Sequence, residues 1–144
     1  MMLNIYCDMD GVLADFNNEP NAVERFKKEK GFFKKLKPLE RNVRALKELI
    51  KNKNVNVYIL SASPNARADK DKIAWLKIHL PEIMKDNIII CRNGQKKVDF
   101  MKTESGLLLD DYGQNLREWV EYNLLNDFYK IRQDGDIEKI LRLV

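Results

Sequence analysis

Histidine occurs once and cysteine twice in this chain of 144 residues, too few for a four-ligand Cys/His zinc site built from the chain alone. Cys7 and Cys91 each stand near the end of an apolar run and read as reduced, buried thiols rather than as a disulfide. The six glycines and four prolines follow no period, which excludes collagen-like and low-complexity chains, and there is no internal repeat. Long hydrophobic runs are missing too. Stretches such as Ile88-Ile89-Ile90-Cys91 fall far short of the roughly 18 residues that span a bilayer, so no membrane protein is expected. Near the start, no basic segment precedes the apolar run, which Asp8 interrupts; a secretory leader is not expected, and the cytoplasm is the expected compartment.

Hydrophobic residues at 44% and charged residues at 33% describe a chain that folds. Its length suits a single domain over residues 1–144. Charge is uneven: Val23 to Lys53 carries twelve Lys/Arg against four Asp/Glu, while the remainder is net acidic. Such a segment could draw in phosphate esters or nucleic acid. Its lysines Lys27, Lys28, Lys30, Lys34 and Lys35 lack a nucleic-acid motif, and a solvated surface is the favoured reading.

Short apolar runs at Leu3 to Cys7, Val55 to Leu60, Asn87 to Cys91 and Gly106 to Leu109 predict buried strands. Helical periods lie between them: Val43, Leu46 and Ile50; Ile73, Leu76 and Leu80; Leu116, Trp119 and Val120. A short strand near Phe128 to Arg132 and a last helix carrying Ile137, Ile140, Leu141 and Val144 complete the pattern. This alternation predicts an α/β fold, a three-layer Rossmann-like sandwich with a central parallel sheet. One segment, about 16–38, breaks the rhythm and reads as a small helical cap insertion after the first strand. Trp75 and Trp119 read as packing residues, as do Phe26 and Phe32; His79 reads as exposed and unpartnered.

In such sheets ligands bind beyond the carboxyl ends of the strands. Asp8-Met9-Asp10-Gly11 follows the first run, Ser61-Ala62-Ser63-Pro64 the second and Asp110-Asp111 the fourth. Carboxylates crowded into one crevice repel by up to about 4 kcal/mol per pair at 4 Å and an effective dielectric near 20. A cation is therefore expected, and an all-oxygen ligand set of few protein groups suits Mg²⁺. A calcium loop starting at Asp8 fails, because Val12 and Leu13 occupy the positions where a ligand and a glycine belong. A phosphoacceptor receiver domain fails on the order of its acidic residues. Helix capping explains one acidic strand end, not three sites together.

Asp8-Met9-Asp10-Gly11-Val12, Ser61 closing Val57-Tyr58-Ile59-Leu60, a lysine after the third strand, and Asp110-Asp111 after Leu107-Leu108-Leu109 resemble the four motifs of the haloacid dehalogenase superfamily of phosphohydrolases. With Gly31-Phe32-Phe33-Lys34-Lys35-Leu36-Lys37-Pro38-Leu39, the chain is similar to 5′(3′)-deoxyribonucleotidases with a reduced cap. Among Lys96, Lys97 and Lys102, Lys97 best matches the third motif and Lys96 comes second.

The resemblance implies a Mg²⁺-dependent phosphomonoesterase working through an aspartyl-phosphate. Asp8 would attack phosphorus, and Asp10 would protonate the leaving oxygen and later activate water. Mg²⁺ would be held by Asp8, the backbone carbonyl of Asp10, and Asp110 and Asp111, one of that pair directly and the other through water. Ser61 and Lys97 would bind the phosphoryl group. The expected substrate is a small phosphorylated molecule, foremost a (deoxy)nucleoside 5′-monophosphate. Two alternatives stand: another phosphate ester (a nucleic-acid end, a phosphoprotein or a sugar phosphate), or a non-catalytic phosphate-binding module. Oligomeric state is not legible.

Overall fold

The computed structural model describes residues 2–144. Five strands form one sheet: β1 (Leu3–Cys7), β2 (Val55–Ser63), β3 (Ile88–Arg92), β4 (Leu107–Asp110) and β5 (Asp127–Lys130). Their order is β3-β2-β1-β4-β5, and every pairing is parallel. The helices are α1 (Ala22–Lys28), α2 (Glu40–Lys51), α3 (Ala66–His79), α4 (Gly113–Tyr122) and α5 (Glu138–Leu141). None of the helices among the described residues is long and apolar enough to cross a membrane.

Alternating side chains of the strands feed two cores, which makes the three layers. On one face Ile5, Cys7, Val57, Ile59 and Leu109 pack with Val43, Leu46 and Leu49 of α2, Trp75 and Leu76 of α3, and Ile140 of α5. On the other, Tyr6, Leu60, Ile89 and Leu108 meet Leu116 and Trp119 of α4. Both indoles are fully buried, and each N–H finds a carbonyl, Leu36 O for Trp75 and Gly106 O for Trp119. Cys7 and Cys91 are buried free thiols.

Four local expectations are corrected. β2 does not stop at Leu60: Ser61 and Ser63 pair with Ile90 and Arg92 inside the sheet, because small hydroxyl side chains fit a buried strand once hydrogen-bonded. The last helix is a single turn, and Leu143 and Val144 are exposed. Ile73 of α3 is exposed and lies outside the buried core, and His79 is half-buried with its ring 4.4 Å from that of Trp75.

The segment 16–38 contains α1 and a 3-10 turn at Phe33–Lys35. It leaves and returns at one point, where Ala14 bridges Pro38, Asp15 N donates to Lys37 O and Leu39 N donates to Leu13 O. Phe16, Phe26, Phe32 and Phe33 pack on one another with ring centroids 5.2–6.4 Å apart, so Phe26 and Phe32 serve as packing residues.

Candidate active site

β1 is the central strand. The chain moves from it to β2 and β3 on one side and returns to β4 on the other, so the order reverses between β1 and β4. Such a switch point opens a crevice at the carboxyl ends of the strands. Asp8 and Asp110 flank it; Asp8 N donates to Leu109 O across the junction. Beyond Asp8 the chain turns tightly, with the amides of Val12, Leu13 and Ala14 all directed at Met9 O. Gly11 makes this turn with φ +80°, a region that side chains disfavour.

Asp8, Asp110 and Asp111 each present a carboxylate oxygen, and these three lie within 4.8 Å of one another. Lys97 reaches them from the 3-10 turn Lys97–Phe100, its Nζ 2.9 Å from both Asp8 Oδ1 and Asp110 Oδ2. Asp8 Oδ1 also accepts from Met9 N at 2.8 Å. Asp110 is fixed at both oxygens, Oδ1 by Tyr112 N and Oδ2 by Lys97 and Asn115 Nδ2. Asn17 Nδ2 donates to Asp111 Oδ2 at 3.1 Å.

Of the three lysines weighed from sequence, Lys97 is the one in the crevice. Lys96 is exposed, and Lys102 Nζ donates to Asp86 O.

Burial, followed by repulsion from Asp110, pushes the Asp8 carboxyl well above the ordinary range, and Lys97 only partly opposes this. Burial and then Asp110 raise Asp111 as well, against the hydrogen bond from Asn17. Burial would lower the Lys97 ammonium, but Asp8 and Asp110 together overcome it and raise it. Three carboxylates thus share one ammonium, and the deficit of positive charge shows as carboxyls that resist ionisation. The donor set, three carboxylate oxygens within 4.8 Å of one another, fits a small hard cation.

Asp10 points elsewhere. Its Oδ2 accepts from Lys72 Nζ at 2.7 Å, and the same amine donates to Ser61 Oγ at 2.8 Å and to Ala62 O at 3.0 Å. Asp10 and Ser61 are therefore drawn together by a residue that sequence reasoning passed over. A signal was present. Lys72 stands on the helical stripe Ala68–Lys72–Trp75–Leu76, the buried side of α3, and a lysine amid that stripe must find partners. Asn65 caps this helix by accepting from Ala68 N, and Ser63 Oγ donates to Asn65 O, which ties the start of α3 to the tip of β2.

Known proteins carry the same fold. A chain in the structure of a Pnkp1/Rnl/Hen1 complex superposes with a TM-score of 0.63 at 18% identity over 90% of this chain, which spans 46% of that one. The HAD domain of the effector protein Lem4 from Legionella pneumophila superposes with a TM-score of 0.60 at 17% identity, over 99% of this chain and 93% of that domain. A protein of Vibrio phage KVP40 that bears the provisional name 5′(3′)-deoxyribonucleotidase is 30% identical over 122 residues, 77% of this chain and 67% of its own length. The family model described as 5′ nucleotidase, deoxy (pyrimidine), cytosolic type C protein matches residues 17–139, a span that holds Ser61, Lys72, Lys97, Asp110 and Asp111. On that match and on its fold, the chain belongs to the haloacid dehalogenase-like deoxyribonucleotidases of the cytosolic type C family.

Proposed function

We propose that the chain is a Mg²⁺-dependent phosphomonoesterase that hydrolyses deoxynucleoside 5′-monophosphates through a phosphorylated Asp8. The observation that carries this reading is the convergence of Asp8, Asp110 and Asp111 around one point with Lys97 beside them. Residues 1–144 act as one catalytic unit in the reducing cytoplasm, and the segment 16–38 serves as its reduced cap.

Asp8, Asp110, Asp111 and the backbone carbonyl of Asp10 would hold Mg²⁺, which supplies charge neutralisation for the phosphate dianion. Met9 N and Lys97 hold the Asp8 carboxylate through Oδ1, which fixes its orientation for attack. In the first half-reaction the bond from an Asp8 carboxylate oxygen to phosphorus forms and the bond from phosphorus to the ester oxygen breaks. Asp10 delivers a proton to that oxygen from Oδ1, since Oδ2 is held by Lys72. In the second, Asp10 removes a proton from the water that attacks phosphorus, and Asp8 leaves as a carboxylate. Lys97 offsets charge on the phosphoryl group, and the Ser61 hydroxyl fixes one of its oxygens.

The test is phosphate release, with Mg²⁺ present, from a panel of dUMP, other nucleotides, sugar phosphates and 3′- or 5′-phosphorylated oligonucleotides. Deoxynucleoside monophosphates should be cleaved best, and EDTA should abolish turnover. Preference for oligonucleotide ends or sugar phosphates, with nucleotides untouched, contradicts the substrate class.

A further inference from the structure

The amine of Lys72 lies wholly inside the protein. An ammonium has three hydrogens to donate, and all three are committed: to Asp10 Oδ2, Ser61 Oγ and Ala62 O, at 2.7, 2.8 and 3.0 Å. None remains for a substrate phosphate. A fourth neighbour closes the shell, the ring of Phe33, whose centroid lies 4.4 Å from Nζ. Phe33 is itself buried and belongs to the aromatic cluster of the insertion. The lysine is thus clamped between the insertion and the carboxylate.

Stability alone does not call for such a residue. Desolvating an ammonium costs several kcal/mol before its contacts repay it, and an apolar side chain on this stripe of α3 would avoid that cost. What an apolar residue could not do is hold Asp10, two residues beyond Asp8, whose side chain keeps 24% of its surface exposed.

We propose that Lys72, backed by Phe33, is a positioning residue for Asp10, fixing one carboxylate oxygen so that the other meets the leaving group. The packing of the insertion thereby governs how well poor leaving groups are protonated. This rests on the acid role of Asp10 proposed above.

Single-turnover release of the leaving group tests it, comparing dUMP, whose alkoxide needs a proton, with p-nitrophenyl phosphate, whose phenolate does not. Lys72→Met should slow deoxyuridine release about 100-fold and p-nitrophenol release by less than about tenfold. Inhibition by inorganic phosphate should stay within about threefold of the parent, since no hydrogen of Lys72 points to phosphate. Phe33→Leu should show the same selective loss at roughly threefold to tenfold. Combining Lys72→Met with Asp10→Asn should be no slower on dUMP than Asp10→Asn alone.

Equal losses on both substrates, or weakened inhibition by phosphate, would overturn the positioning role while leaving the phosphatase reading intact. If Lys72→Met does not fold, Phe33→Leu decides by the same comparison. A parent protein that releases no deoxyuridine from dUMP fails the underlying reading instead.

Discussion

The carboxylate of Asp111 rests against the α-carbon of Gly11, so close that a Cβ at that position would collide with Asp111 Oδ2. The turn after β1 and the tip of β4 are thereby locked together by the absence of a side chain. Gly11→Ala would also strain a backbone held at φ +80°. It should displace Asp111 and lower turnover by about tenfold or more, with a weakened response to Mg²⁺. A Mg²⁺ titration of activity checks this; an unchanged half-saturating concentration and rate would contradict it.

Lys97 is the counter-charge of two buried carboxylates. Lys97→Met should destabilise the metal-free protein by about 3 kcal/mol at neutral pH. Because Mg²⁺ would replace part of the lost charge, the rise in Tm on adding Mg²⁺ should be larger in this variant than in the parent. Thermal melts with and without the ion measure both effects. Equal melting of variant and parent without Mg²⁺ would contradict the pairing.

Asn42 is fully buried on α2. Its Nδ2 donates to Val12 O and Gln133 O, while its Oδ1 accepts from Gly135 N and Ile137 N. One amide thus joins the turn that carries Asp10 to the segment before α5. Asn42→Ala should cost about 2–4 kcal/mol in chemical denaturation, since buried groups are left without partners. A loss below about 0.5 kcal/mol would show that the hub is dispensable.

His79 supplies a pH dependence away from the crevice. Burial, aided by the nearby Lys47 charge, lowers its imidazole below the usual 6.5. The unfolded chain therefore takes up this proton more readily than the folded one. Stability from this residue is complete above about pH 6.5 and is lost as the pH falls below that value towards the folded pKa. Denaturation at pH 8 and pH 5 should show a smaller difference in His79→Gln than in the parent. NMR titration of this single histidine should give a midpoint under 6.5; one above it would reverse the sign.

The strands and their acidic tips were legible because they depend on local patterns: Leu3 to Cys7 and Leu107 to Leu109 are apolar runs that end in aspartates, and parallel order follows from alternation with helices. Place after the third strand left Lys96, Lys97 and Lys102 open, and only the resemblance to the family's third motif put Lys97 first. Lys72 was legible only as a lysine on the buried stripe of α3; its partners, Asp10 across 62 residues and Phe33 in the insertion, are encoded by no spacing rule. Ser61 read as a residue after a strand and not within one, since composition does not tell a buried hydroxyl from an exposed one. Leu141 and Val144 promised a longer helix than forms, as apolar period alone does not say where packing partners run out.

The most direct test of the central claim is acid quenching of the Asp10→Asn variant during turnover of ³²P-labelled p-nitrophenyl phosphate with Mg²⁺. This ester needs no acid to form the phosphorylated enzyme, and loss of the base should slow its breakdown. Label should accumulate on the peptide containing Asp8 and be absent from Asp8→Asn. Label on any other residue, or Asp8→Asn turning over at the parent rate, would contradict the account.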